Sequence, residues 1–197
     1  MIRNIVFDMG NVLLSYEPEK YVDKIIKDPA GADAVLRELF GGPEWPMLDA
    51  GTITEEETVR RVQSRIPRYA ALVPRAMERW DDMLTPLPGM PEIVAELKAK
   101  GYPLYVLSNM SLRFSRIFQQ REIFRYFDGY VFSAIEKIVK PDPAIYRLLL
   151  NRFHLNADEC LFFDDLPQNV EGAERVGLHA HRFAGTRELA LFLKETL

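Results

Sequence analysis

The sequence predicts an α/β fold: an open parallel sheet flanked by helices, with a small all-helical segment inserted into it. Three observations carry this expectation. Five short β-rich apolar runs recur, at Ile2–Phe7, Leu104–Leu107, Tyr130–Phe132, Leu161–Phe163 and Ala180–Phe183. They do not alternate apolar with polar residues, so they read as strands buried on both faces, as in a parallel sheet. Helical patterns separate the later runs, which implies right-handed βαβ crossovers with helices on both faces. The interval between the first two runs is far longer than one crossover helix needs, so something is inserted there.

Taken in order, the first run leads into IVFDMGNVLL, an apolar stretch interrupted by Asp8 and the pair Gly10–Asn11. Residues 16–85 hold only helical patterns. Within TEEETVRRVQSRI, Thr54 and Glu57 have the spacing of a capping box. TPLPGMP, residues 85–91, marks a stiff boundary. The expected division is therefore an α/β core from residues 1–15 and 86–197, and a helical cap from residues 16–85. Further helices are expected at Glu92–Lys100, stopped by Gly101, and at Leu112–Gln120, Ala144–Phe153, Gln168–Val176 and Arg187–Leu193. Asp142 caps the third of these, with Pro143 at its first position. The stretch RFSRIFQQREIFRYF reads as an amphipathic helix with core phenylalanines and exposed arginines, not as a nucleic-acid surface.

Composition narrows the class. A chain of 197 residues, 48% hydrophobic, suits one domain or a core with a modest insertion. A net charge of −4 gives no electrostatic footprint for nucleic acid or an anionic membrane. The single cysteine, Cys160, cannot form an internal disulfide, which fits a reducing compartment. Asp8 and Asn11 break the amino-terminal apolar stretch and no cleavage-like site follows, which argues against a signal peptide. No run approaches the length of a membrane helix. The expected setting is the cytoplasm.

In open α/β sheets, ligands bind beyond the carboxyl ends of the strands. Asp8 follows the first run, Ser108 and Asn109 the second, Lys140 lies in the loop after the third, and Asp164 and Asp165 follow the fourth. Singly, each has a bland explanation: a turn acid, a helix cap, a solvated lysine. Together, they converge on one sheet edge. Three acids offset by one lysine would force one acid to stay protonated or require a cation. Hard oxygen donors supplied in small number suit Mg²⁺, which keeps waters and shares a substrate phosphate. Ser108–Asn109 ahead of a helix, together with Lys140, complements a phosphoryl group.

FDMGNV, VLSN, KPDP and FFDDLPQN, in that order, resemble the four motifs of the haloacid dehalogenase (HAD) superfamily, across essentially the whole chain. The resemblance implies its Rossmann-like core, and the helical insertion is similar to the superfamily's C1-type cap of subfamily IA. The FD-x-GNV form and the stretch FGGPEWPMLDAGTITEEE look most like a bacterial branch that includes a glucose-1-phosphate phosphatase. By this resemblance Asp8 is the nucleophile that forms an aspartyl-phosphate. Mg²⁺ is held by Asp8, the main-chain carbonyl of Gly10 and Asp165. Asp164 either joins these ligands or orients a water on the metal. Ser108 and the Asn109 amide hold phosphoryl oxygens, and Lys140 neutralises Asp8 and the developing charge. The implied partner is a small phosphorylated substrate, such as a sugar phosphate.

The chain also departs from the superfamily pattern. Most of its phosphatases carry a second aspartate two places after the nucleophile, which protonates the leaving oxygen and then activates water. Here that place is Gly10. General acid–base assistance is worth ~10²–10⁴-fold, so a slow phosphatase is expected unless the substrate or the cap supplies the proton. Asn11 cannot replace the acid and is expected to shape the turn. Two rivals remain: a metal-free 2-haloacid dehalogenase, against which Asp164–Asp165 argues, and a non-catalytic protein that binds a phosphometabolite.

His154, His179 and His181 lie away from the motifs and lack zinc-like companions, so packing or surface roles are expected. Arg60, Arg61, Arg65 and Arg68 read as a solvated face. Trp45 and Asp49 are expected to line the substrate pocket, with cap-core packing the competing explanation for Trp45. Nothing in the sequence fixes the leaving group or the oligomeric state.

Overall fold

The computed structural model describes residues 1–197. Five strands form one parallel sheet: β1 (Asn4–Phe7), β2 (Leu104–Ser108), β3 (Gly129–Phe132), β4 (Cys160–Asp164) and β5 (His179–Arg182), in the order β3-β2-β1-β4-β5. The order reverses between β2 and β4, on either side of β1, so the central strand ends at a topological switch point. Successive strand residues point to opposite faces. Ile5, Phe7, Val106 and Phe163 enter one core, while Val6, Leu107, Val131 and Phe162 enter another. Helices α6 (Met90–Ala99), α7 (Leu112–Ile117) and α11 (Thr186–Thr196) pack on the first face. Helices α9 (Pro143–Phe153) and α10 (Pro167–Glu174) cover the second, and α8 (Ser133–Glu136) is a single turn directly after β3.

Between β1 and β2 every element ahead of α6 is helical: α1 (Pro18–Ile25), α2 (Pro29–Val35), α3 (Glu44–Asp49), α4 (Glu55–Arg65) and α5 (Leu72–Glu78), with a π turn at Leu36–Phe40 and short 3₁₀ turns at Pro67–Tyr69 and Trp80–Met83. The two chain segments that join this insert to the sheet run side by side. Ser15 N donates to Thr85 O at 2.8 Å and Leu87 N to Leu13 O at 3.0 Å. The Ser15 hydroxyl adds a bond to Met83 O at 3.1 Å. The insert is also tied to the sheet side by Arg113, whose guanidinium meets Glu55 at 2.5 Å and Glu78 O at 2.7 Å.

Some sequence expectations need correction. β5 is an edge strand, with His179 and Arg182 exposed, so its apolar run does not mark burial on both faces. The stretch from Arg113 is not one amphipathic helix: α7 stops at Ile117 and 3₁₀ turns follow at Phe118–Gln120 and Glu122–Tyr126. Phe118 and Ile123 are both buried, yet on a straight helix they would stand about 140° apart. Breaking the helix lets both reach one core. Thr54 caps α4 by accepting from Glu57 N at 3.2 Å, but the Glu57 carboxylate turns to Arg60 and Arg61 and does not close a box. Arg60, Arg61, Arg65 and Arg68 are all exposed, and from this face Arg65 also reaches in to the buried Glu44 carboxylate with bonds of 2.7 and 2.6 Å. No helix is long and apolar enough to cross a membrane.

Candidate active site

Beyond the carboxyl ends of β1 and β2 lies a cavity of about 530 Å³. Its floor is polar: Asp8, Gly10, Asn11, Ser108, Asn109, Lys140 and Asp165. Its wall toward the helical insert is largely aromatic, from Tyr16, Phe40, Trp45 and Trp80. Of the sequence-nominated residues, only Asp164 does not line the cavity, and it lies directly behind the floor, fully buried.

Asp8 is the first residue past β1, with its amide donating to Phe163 O at 2.8 Å, which fixes the turn against β4. Lys140 Nζ lies 2.8 Å from Asp8 Oδ1 and 2.6 Å from Asp164 Oδ2, and all three side chains are buried. Burial raises the Asp8 carboxyl above its ordinary range, against the opposing pull of Lys140. Burial alone would lower the Lys140 ammonium, but the two carboxylates outweigh it and hold the lysine charged. This pairing offsets the cost of burying the Asp8 charge at the end of an apolar strand.

Lys140 reaches that position through Asn109. The Asn109 amide clamps the Lys140 main chain, accepting from its N–H at 2.8 Å and donating to its carbonyl at 3.0 Å. Sequence reasoning gave Asn109 only a main-chain role and missed this clamp. It also passed over Asn169, whose Nδ2 donates to both Asp164 oxygens at 3.0 and 3.1 Å. The signal was present in FFDDLPQN, where the asparagine stands one helical turn beyond the acids. With Lys140, Asn169 and the Leu166 amide all on Asp164, that carboxylate is occupied by protein donors. Asp165 is half-buried and faces the cavity; burial and the neighbouring Asp164 raise its carboxyl.

Gly10 and Asn11 form the turn after Asp8. Asn11 adopts φ of +56°, a left-handed conformation that asparagine tolerates. Its side chain accepts from Tyr16 N at 3.2 Å. The Gly10 carbonyl takes no main-chain hydrogen bond, and a Cβ built at Gly10 meets nothing within 4 Å.

The donor set fits a divalent cation. Asp8, Asp164 and Asp165 each offer a carboxylate oxygen, these oxygens all lie within 4.8 Å of one another, and one lysine offsets three acids. A hard oxygen cluster with waters completing the shell suits Mg²⁺. Asp8, Asp165 and the unpaired Gly10 carbonyl are the groups with free oxygens to hold it.

Trp45 sits between the two explanations given to it, packing at 4.8 Å from the Phe40 ring and 5.2 Å from Trp80 while still facing the cavity. Asp49, at the end of α3, lines the cavity without a partner for its carboxyl. Burial, and then the Asp8 charge, push it up to about 8. The histidines stay outside: His181 stacks on Phe192 and bonds Glu188 at 2.8 Å, and His154 closes α9 with φ of +55°.

Residues 2–177 match the haloacid dehalogenase-like hydrolase family. The chain is 26% identical over 174 residues to a sesquiterpene phosphatase of Aspergillus oryzae, covering 88% of this chain and 85% of that one. It is 27% identical over 184 residues to a phosphorylated carbohydrates phosphatase of Thermotoga maritima, covering 88% and 81%. Its fold superposes on the magnesium complex of a HAD family enzyme from Bacteroides thetaiotaomicron with a TM-score of 0.74 at 17% identity over 98% of each chain, a likeness of fold alone. With the family match spanning β1 to β4, the helical insert and all four strand-end motifs, the chain belongs to the haloacid dehalogenase-like hydrolase family.

Proposed function

We propose that the protein is a Mg²⁺-dependent phosphatase of the C1-capped type, which hydrolyses a small phosphate monoester through an aspartyl-phosphate on Asp8. The carrying observation is Asp8 itself, a buried carboxylate beside Lys140 that still lines an open cavity. Asp8 attacks phosphorus as the ester bond breaks, and water then hydrolyses the aspartyl-phosphate. Lys140 offsets the charge on Asp8 and on the transferring phosphoryl group. Ser108 and the Asn109 amide receive the phosphoryl oxygens. Asp8, Asp165 and the Gly10 carbonyl hold Mg²⁺, which when bound withdraws negative charge from the phosphoryl oxygens. Asp164 holds Lys140 and, through the Leu166 amide, the loop that carries Asp165.

In this reading residues 16–85 act as the cap over a core of residues 1–15 and 86–197. The cap's aromatic wall receives the alcohol half of the substrate, which must present an apolar face; the ring face of a sugar such as glucose 1-phosphate qualifies. Position 10 brings no proton, so hydrolysis is slow wherever no other group protonates the leaving oxygen. Three clustered acids sharing one lysine disfavour a metal-free dehalogenase.

The test is hydrolysis of p-nitrophenyl phosphate and of a panel of sugar and aryl phosphates, by wild type and Asp8→Asn, with Mg²⁺ or EDTA. Activity lost in EDTA and in Asp8→Asn is expected. Activity that survives either one refutes the mechanism. Phosphate binding without any turnover supports the non-catalytic reading, and halide release from chloropropionate in EDTA supports the dehalogenase.

A further inference from the structure

We infer that Asp49 is the proton donor that replaces the acid missing at position 10, delivering its proton from the helical insert and not from the Asp8 loop. This rests on the phosphatase reading above and adds the residue that reading lacks.

The observations are geometric. A Cβ at Gly10 would meet nothing within 4 Å, and Gly10 lines the cavity, so no side chain fills the place where an acid would project from the Asp8 turn. Five residues that line this cavity have ionisable side chains: Asp8, Tyr16, Asp49, Lys140 and Asp165. Lys140 is committed to Asp8 and Asp164, and Asp8 and Asp165 belong to the phosphoryl and metal side. That leaves Asp49 and Tyr16 on the side of the leaving group. Tyr16 is the poorer acid, because burial and the neighbouring Asp49 and Glu19 raise its phenol further. The Asp49 carboxyl is free of hydrogen bonds and ion pairs, and it keeps its proton at neutral pH.

Asp49 is also held in place. Its main-chain carbonyl accepts from the Ser133 hydroxyl, which in turn accepts from Met110 N at 2.9 Å. One serine thus joins the end of α3 to the loops after β2 and β3. Two residues on, Gly51 has φ of +65°, and a Cβ there would come within 2.3 Å of Ala134 O. Glycine allows the insert to press its backbone against α8 at this point. A carboxyl fixed to the sheet domain by its own main chain is positioned for a proton transfer that tolerates little displacement.

The step balances. An Asp8 oxygen forms a bond to phosphorus while the ester P–O bond breaks, and the Asp49 proton passes to the departing oxygen, giving free alcohol, aspartyl-phosphate and an Asp49 carboxylate. That carboxylate then takes a proton from water as its oxygen attacks phosphorus and the Asp8–phosphorus bond breaks. Phosphate leaves, and Asp8 carboxylate and Asp49 acid are restored.

The experiment measures kcat/KM across dinitrophenyl, p-nitrophenyl, phenyl and butyl phosphate, in order of increasing leaving-group basicity. Wild type, Asp49→Asn, Tyr16→Phe and the double variant Asp49→Asn/Gly10→Asp are compared, each checked for folding by circular dichroism and thermal melting. The expected result is a graded loss in Asp49→Asn, small for dinitrophenyl phosphate and reaching ~10²–10⁴-fold for butyl phosphate. Tyr16→Phe should show no such gradient, and Gly10→Asp should restore part of the butyl phosphate rate in the double variant. A uniform loss across the series, no loss, or the gradient appearing in Tyr16→Phe instead would overturn the inference while Asp8-dependent hydrolysis stands. Absence of Asp8-dependent hydrolysis in wild type would overturn the phosphatase reading, and this inference with it.

Discussion

Replacing Lys140 with methionine isolates the charge at the centre of the site. The change keeps most of the buried stem and removes only the ammonium that lies 2.8 Å from Asp8 and 2.6 Å from Asp164. Removing one partner of a buried ion pair costs about 3–5 kcal/mol, because the remaining charge has lost water and gained nothing. For a chain of this size each kcal/mol moves Tm by about 2–4 °C, so the variant should melt roughly 6–20 °C below wild type in EDTA near neutral pH. The deficit should also depend on pH. Asp8 already titrates above its ordinary value when folded, at about 6, and losing Lys140 raises it further. A carboxyl with a raised folded value binds more protons native than unfolded, so stability falls as pH rises through that window. The loss should therefore be smaller at about pH 5 than at about pH 8. The assay is thermal unfolding of both proteins across pH in EDTA. An unchanged Tm, or a deficit independent of pH, would refute the view that Lys140 compensates these buried acids.

Asp49→Asn should raise Tm by a few degrees above neutral pH, because the folded value near 8 against an ordinary 3.8 means the native state resists the ionisation that the unfolded chain undergoes. The same variant should lose any fall in phosphatase activity that wild type shows as pH rises through about 8, measured as kcat/KM against pH. Asn169→Ala removes both amide contacts to Asp164 and should weaken Mg²⁺ activation by about 10–100-fold in a metal titration, with less effect on KM at saturating metal. Gly51→Ala meets Ala134 O at 2.3 Å and a left-handed φ, which alone costs roughly 1–2 kcal/mol. It should lower Tm and, by displacing Asp49, reduce kcat for poor leaving groups more than for good ones.

The sheet and the floor of the cavity were legible because both are written locally. Each buried strand is a contiguous apolar run, and the strand ends and the loops that follow them lie at the sheet's carboxyl edge, so Asp8, Ser108, Lys140 and Asp165 could be brought together without knowing any contact. β5 was misjudged because an apolar run does not reveal whether a strand lies at the edge. The 3₁₀ turns after α7 were missed because the phenylalanines there serve a core whose shape no helical period describes. The contacts that position the site are non-local. The Asn109 clamp on Lys140 spans 31 residues, and the Ser133 bond to Asp49 joins positions 84 apart. Neither serine nor asparagine carries a spacing that announces such a partner. Gly51 is legible only once the backbone of Ala134 is seen beside it.

The account stands most directly on Asp8. Incubation of the protein with Mg²⁺ and dinitrophenyl phosphate, followed by acid quench, proteolysis and mass spectrometry, should find a phosphoryl group on Asp8. Asp8→Asn should yield no adduct and no turnover. Continued hydrolysis by wild type with the phosphoryl group trapped on another residue, or turnover by Asp8→Asn, would contradict it.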